Sequence, residues 1–245
     1  MAKPKWRRLI ISYVLMLHLI AAILITKTDF IPKLQAKLRG ETSRPFETRD
    51  FIQLMLTFHK RMDDNIPEAS IVFFGDSIMQ SLATGAVTSH AVNYGIGGET
   101  SRDLLDAIPQ YEFSLKRARA IVIAIGVNDF INDIGDGFDE RYAAIIRRLP
   151  PGKPLIISAI MPAELPKKSK LASADIARAN AGLKARCSAH ARCIFVDMWP
   201  LFMGPNNHPR RQYYMDDGIH LSPAGYRLWI QHLAQAVEVA AAHRH

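Results

Sequence analysis

The chain has 245 residues, 49% of them hydrophobic, which suits one sizeable folded domain with an appendage and excludes intrinsic disorder. Its net charge of +8 would suit a nucleic-acid binder if it were spread over the body. Residues 1–39 alone hold Lys3, Lys5, Arg7, Arg8, Lys27, Lys33, Lys37 and Arg39 against Asp29, so the remainder is nearly neutral. Nucleic acid is therefore not an expected partner.

Taken in order, the chain begins with a basic tail over residues 1–8. An apolar stretch follows from Leu9 to Ile25, interrupted only by Ser12, Tyr13 and His18. Its length is at the lower limit for a membrane-spanning helix and beyond a typical signal-peptide core, and no small-x-small cleavage site follows. The expectation is an uncleaved transmembrane signal anchor over residues 9–26, contacting the membrane, with a cleaved signal peptide as the alternative. The main domain then lies on the periplasmic or extracellular side of the cytoplasmic membrane. Residues 27–66 read as a membrane-proximal linker, containing Pro32, Gly40 and Pro45, and an amphipathic helix. In that helix Phe51, Leu54, Met55, Phe58 and Met62 recur at three- and four-residue spacing. That face is expected to pack on the following domain; a helix lying on the membrane is the alternative.

Residues 67–245 form the main domain. Short apolar runs over Ile71–Phe74, Ala91–Tyr94, Ala120–Ile125, Leu155–Ile160 and Cys193–Val196 predict five strands. Helical patterns near Ser77–Ala83, Ser101–Ile108, Asp139–Leu149 and Ala172–Ala189 lie between them, and a last helix runs from about Pro223 to Ala241. Strands interleaved with helices predict a parallel sheet covered on both faces, with the strand-to-helix loops along one edge.

Those loops hold the reactive residues. The first strand ends in Gly75-Asp76-Ser77, the second runs into Asn93-Tyr94-Gly95-Ile96-Gly97-Gly98, and the third into Gly126-Val127-Asn128-Asp129. Asp217-Gly218-Ile219-His220 precedes the last helix. Acyl transfer by a serine needs a base in hydrogen-bond contact, a carboxylate to orient that base, and fixed donors for the oxyanion. Ser77, His220 and Asp217 supply the first three parts. The Ser77 amide, an amide of the glycine loop and the Asn128 side chain are candidate donors. The bland readings are a capping serine, ordinary turns and a core histidine.

The four blocks, in order over residues 71–225, resemble the SGNH or GDSL hydrolase family. Asn93–Leu104 and His220–Tyr226 are similar to its platelet-activating-factor acetylhydrolase-like branch. The resemblance implies a flavodoxin-like three-layer α/β/α sandwich and a Ser77, Asp217, His220 triad. It also implies an oxyanion hole from Ser77, Gly98 and Asn128. Gly98 is selected over Gly95 and Gly97 because the family glycine lies five positions after the asparagine matching Asn93. The implied activity is hydrolysis of a short-chain acyl ester, such as acetyl, on a carbohydrate or lipid-derived alcohol, with no metal or organic cofactor. An O-acetyltransferase acting on a cell-envelope glycan, and a non-catalytic binding protein on the same fold, are the alternatives.

Other features read as structural. Asp133, Asp136 and Asp139 lack EF-hand spacing. Gly95-Ile96-Gly97 lacks the third glycine of a dinucleotide loop. Lys167, Lys168 and Lys170 mark an exposed loop, His208 a surface loop, and His243 and His245 a tail. Cys187 and Cys193 fit either a disulfide in an exported domain or a reduced, buried pair.

Overall fold

The computed structural model describes residues 5–27, 31, 46–166 and 169–242. Most of the linker, Lys167, Lys168, His243 and His245 lie outside the described residues. The chain divides into two compact units, Met1–Phe46 and Glu47–His245.

The first unit contains helix α1 (Lys5–Lys27), which covers the apolar stretch. Among the described residues no helix is long and apolar enough to cross a membrane, which does not support the expected transmembrane helix.

The second unit opens with α2 (Phe46–Met62), whose Ile52 and His59 are buried. His59 Nδ1 lies 2.9 Å from the Tyr111 hydroxyl. The buried Asp63 carboxylate, just past the helix, accepts from the Phe113 and Ser114 amides at 3.1 and 2.8 Å. The amphipathic helix is thus seated on the domain by a buried polar pair as well as by apolar packing.

The sheet follows. Strand β1 (Ile71–Gly75) leads into the four-residue α3 (Ser77–Gln80), and β2 (Ala91–Gly95) into α4 (Ser101–Ala107) and α5 (Glu112–Arg117). Strand β3 (Ala120–Ala124) is followed by α6 (Val127–Ile131) and α7 (Phe138–Arg148), and β4 (Leu155–Ser158) by α8 (Ser173–Ser188). Strand β5 (Cys193–Val196), α9 (Trp199–Phe202) and α10 (Pro223–Ala242) complete the chain. All five strands are parallel, in the order β2-β1-β3-β4-β5. The three-layer α/β/α sandwich is therefore as expected. Helices α4, α7 and α8 pack in series, and α10 packs against β3, β4 and β5.

Val72, Phe73, Phe74, Ile121, Val122, Ile123, Ile156 and Ile157 are all buried, as continuous apolar strands of a two-sided sheet must be. Two elements end two or more residues earlier than predicted. β4 stops at Ser158 because both backbone polar groups of Ile160 pair with the buried Asn180 side chain, its amide to Oδ1 and its carbonyl to Nδ2. α3 stops at Gln80, and the Asn93 side-chain amide donates to the Met79 and Leu82 carbonyls at 2.8 and 3.1 Å.

The order places the site. From β1 the chain steps outward to β2 and then returns to the other side of β1 as β3. Open parallel sheets bind ligands at the carboxyl ends where the order reverses. Gly75 is in register with Gly95 on one side and Ala124 on the other, so three loops leave the sheet at one level.

Candidate active site

Ser77 begins α3 directly after β1. A Cβ at Gly75 would lie 2.2 Å from the Ala124 carbonyl oxygen, so only glycine lets the strand end close on β3 and turn there. Asp76 caps α3: its Oδ1 accepts from the Ile78 amide at 3.0 Å. Burial pushes the Asp76 carboxyl up to about 7, against the pull of the Ile78 amide, with nearby Asp129 adding to the rise. Asp76 therefore shapes the turn.

The Ser77 hydroxyl lies 2.9 Å from His220 Nε2, and His220 Nδ1 lies 2.6 Å from Asp217 Oδ2. With the Nδ1 proton directed at Asp217, Nε2 is free to accept from Ser77. Asp217 Oδ1 also accepts from the Ile219 and His220 amides, both at 2.9 Å. Burial alone would raise the Asp217 carboxyl; the His220 ring and the two amides outweigh it and hold it below the usual carboxylate range. Asp217, not Asp216, meets the imidazole. The loop is closed by a bond from the Met215 amide to the His220 carbonyl at 2.7 Å. The His220 and Asp217 side chains are 43% and 46% exposed, so the imidazole opens to solvent.

The glycine loop lies against the same serine. A Cβ at Gly97 would stand 3.8 Å from Ser77 Cβ and 3.4 Å from Phe51 Cε1 of α2. Gly98 has φ +77°, a left-handed conformation that favours glycine, and a Cβ there would meet Thr48 Cγ2 at 2.8 Å. The backbone amides of Ser77 and Gly98 donate to no backbone acceptor among the described residues. Asn128 Nδ2 donates to the Glu99 carbonyl at 2.9 Å, which fixes the side-chain amide beside Gly98 and leaves its second N–H for another acceptor. All five predicted residues thus gather at one sheet edge. The arrangement sets a hydroxyl against an imidazole that a carboxylate holds by its other nitrogen, with amide donors in the neighbouring loops.

The model of the GDSL-like lipase/acylhydrolase family matches residues 73–228, a segment that contains every one of these groups. The chain belongs to this family. It is an ester-bond hydrolase. The chain is similar to the platelet-activating factor acetylhydrolase IB subunit alpha1 of Bos taurus, with 24% identity over 185 residues, 70% of this chain and 77% of that protein. Its fold is similar to a GDSL-like lipase from Bacteroides thetaiotaomicron, with TM-score 0.65, 22% identity, and 76% of this chain and 98% of that chain covered. It is also similar to the C-terminal catalytic domain of Streptococcus pneumoniae peptidoglycan O-acetyltransferase A, with TM-score 0.57, 19% identity, and 71% and 94% covered.

Sequence reasoning missed the groups that hold the loops. Asp129 is fully buried and accepts from the Ser101 amide at 2.8 Å, the Ser101 hydroxyl at 2.6 Å and Arg141 Nη2 at 2.9 Å. Burial pushes its carboxyl up, against the Ser101 and Arg141 hydrogen bonds. This network fastens the start of α4, just past the glycine loop, to the residue after Asn128. The available signal was the acid directly following Asn128. Gln80 Oε1 accepts from the Gly97 amide at 2.8 Å, and the Tyr226 hydroxyl donates to the Ile78 carbonyl at 2.9 Å. Nothing in the sequence pairs those positions.

Asp133 accepts from the Ser169 hydroxyl and the Lys170 amide, and Asp139 pairs with Arg186. Among the described residues no group of three or more metal-ligating side chains could hold an ion. His208 is exposed in its loop. Cys187 and Cys193 are bonded to each other.

Proposed function

We propose that this protein hydrolyses a short-chain acyl ester, an acetyl ester first among them, through an acyl-Ser77 intermediate. The observation that carries the reading is the continuous chain of short contacts from Ser77 through His220 to Asp217 at the level where the three loops leave the sheet. In the first half-reaction Ser77 Oγ attacks the carbonyl carbon while its proton passes to His220 Nε2. The oxyanion takes hydrogen bonds from the Ser77 and Gly98 amides and Asn128 Nδ2. The C–O bond to the alcohol then breaks, and the leaving oxygen receives the proton from Nε2. In the second half a water gives a proton to Nε2 and attacks the acyl carbon; the bond to Ser77 Oγ then breaks, the acid leaves, and Nε2 returns the proton to Oγ. Asp217 stabilises the transient imidazolium and keeps the ring oriented. No step calls for a metal or organic cofactor.

The substrate we propose is an acyl group on a cell-envelope carbohydrate or a lipid-derived alcohol, processed outside the cytoplasm by a protein associated with the cytoplasmic membrane through residues 9–26. The disulfide favours an oxidising compartment. Basic residues before the apolar stretch favour an N-terminus on the cytoplasmic side.

A fluorophosphonate probe should label Ser77 of the folded protein, and Ser77→Ala should abolish both labelling and hydrolysis of p-nitrophenyl acetate without loss of folding. Full residual activity in that variant would refute the assignment. The exposed His220 and Asp217 also leave room for a sugar hydroxyl in place of water, giving an O-acetyltransferase with the same intermediate. Product masses after incubation with an acyl donor and a glycan separate the two: acetylated glycan marks the transferase, free acetate the hydrolase.

A further inference from the structure

Ser77 sits on a single turn of helix, since α3 runs only from Ser77 to Gln80. So short a helix does not hold itself in water, and its outgoing carbonyls need partners from elsewhere. The Ser81 amide closes back on the Ser77 carbonyl at 3.1 Å. The Leu82 amide, which would take the Ile78 carbonyl if the helix went on, bonds Met79 instead at 2.9 Å. The Tyr226 hydroxyl donates to the Ile78 carbonyl, at 2.9 Å and across 148 positions of sequence.

Tyr226 follows His220 closely in the chain, and the backbone between them is braced. The Met215 amide bonds the His220 carbonyl at 2.7 Å, the Ser222 amide the Tyr213 carbonyl at 2.9 Å, and the Tyr226 amide the Ser222 carbonyl at 2.9 Å. A Cβ at Gly225 would lie 2.3 Å from the Tyr213 carbonyl oxygen, so the first turn of α10 rests directly on the backbone before the triad loop. The Tyr226 ring lies 6.2 Å from that of Trp229, whose Nε1 donates to Ser158 of β4 at 3.0 Å. Asn93 and Gly97 tie α3 to the glycine loop. Tyr226 ties it to the element that follows the base.

We propose that Tyr226 is a positioning residue for the ester hydrolysis: by holding the Ile78 carbonyl it sets α3 against the braced base loop, and so fixes the 2.9 Å contact between Ser77 Oγ and His220 Nε2. The inference rests on the reading of Ser77 as nucleophile and His220 as base. The hydroxyl acts through the Ile78 peptide, next to Ser77, and not on the ester. A displacement of about 1 Å between reacting groups can cost about 100-fold in rate. Loss of the tie therefore falls on the bond-making steps and spares ester binding.

Tyr226→Phe keeps the ring beside Trp229 and removes only the hydroxyl. In the full-length protein it should lower kcat on p-nitrophenyl acetate about 10- to 100-fold with KM little changed, and slow fluorophosphonate labelling of Ser77 by a similar factor. Tyr111→Phe removes another buried hydroxyl bond, to His59 Nδ1 where α2 seats on the domain, and measures what loosening alone does. It should lower Tm and leave kcat and the labelling rate unchanged, with all rates taken well below both transitions. A wild-type kcat and labelling rate in Tyr226→Phe, with or without a lower Tm, overturn the positioning role, and so does an equal loss in Tyr111→Phe. A wild-type protein that hydrolyses the ester while Ser77 stays unlabelled overturns the nucleophile assignment, and the proposal with it, so the two failures are told apart.

Discussion

Ser77 and His220 meet across 143 positions of sequence, and the contact is shaped by what surrounds each residue. Asn128 holds the Glu99 carbonyl with one N–H, so its other donor is preorganised and needs no reorientation as charge develops. Asn128→Ala should therefore lower kcat on p-nitrophenyl acetate about 100- to 1000-fold with little change in KM; an unaltered kcat would remove it from the oxyanion hole. Two buried titrating groups make opposite contributions to stability. Burial lowers His59 from 6.5 to about 4, so the unfolded chain binds a proton that the fold refuses, and stability is lost as pH falls through that window. Burial raises Asp76 from 3.8 to about 7, so the folded state binds the proton first, and stability is gained as pH falls from about 7 towards 4. Relative to wild type, Asp76→Asn should steepen the decline of Tm on acidification and His59→Gln should flatten it. Thermal unfolding between pH 4 and pH 7 measures both slopes, and slopes parallel to wild type would contradict the burial argument. Neither effect was legible in the sequence, because an acid after a strand and a histidine in a helix acquire such values only from burial.

At the scale of elements, the strands were the most legible part. A strand buried on both faces has to be apolar throughout, so Ile71–Gly75 and Ala120–Ala124 announce themselves as runs ending in small residues. Their ends were less legible. The termination of β4 depends on Asn180, some twenty residues away, capturing the polar groups of Ile160. The short helices α5, α6 and α9 went unpredicted because one or two turns carry too little periodicity to be seen. The disulfide joins the end of α8 to the start of β5 across a separation of six residues. Closing so small a loop stabilises by about 2 kcal/mol in the chain-entropy account. A Cys187→Ser/Cys193→Ser protein should then melt about 4–8 °C lower, with the activity of its folded fraction unchanged, since the bond lies on neither triad loop. An unchanged Tm would show that the bond adds no stability.

At the scale of the whole molecule, every gathered site residue belongs to the unit Glu47–His245, and so do Thr48 and Phe51, which close over the glycine loop. A protein comprising residues 47–245 should fold alone and hydrolyse p-nitrophenyl acetate with the full-length kcat/KM. One starting at residue 67 should be unstable, because it strips the cover from Tyr111 and removes the Asp63 carboxylate that caps α5. Equal stability of the two fragments by thermal melting would contradict that role for α2. The sequence by itself determined the parallel α/β class, and it singled out Ser77, Gly98, Asn128, Asp217 and His220, which the fold brings to one sheet edge. Both are written locally, as apolar runs and as small polar blocks at strand ends. Only the tertiary structure decided that Asp129, Ser101 and Arg141 brace the glycine loop, that the two cysteines are bonded, and that one apolar face of α2 stays uncovered. Those properties depend on which distant surfaces meet, and the pattern of a single segment carries no record of its neighbours.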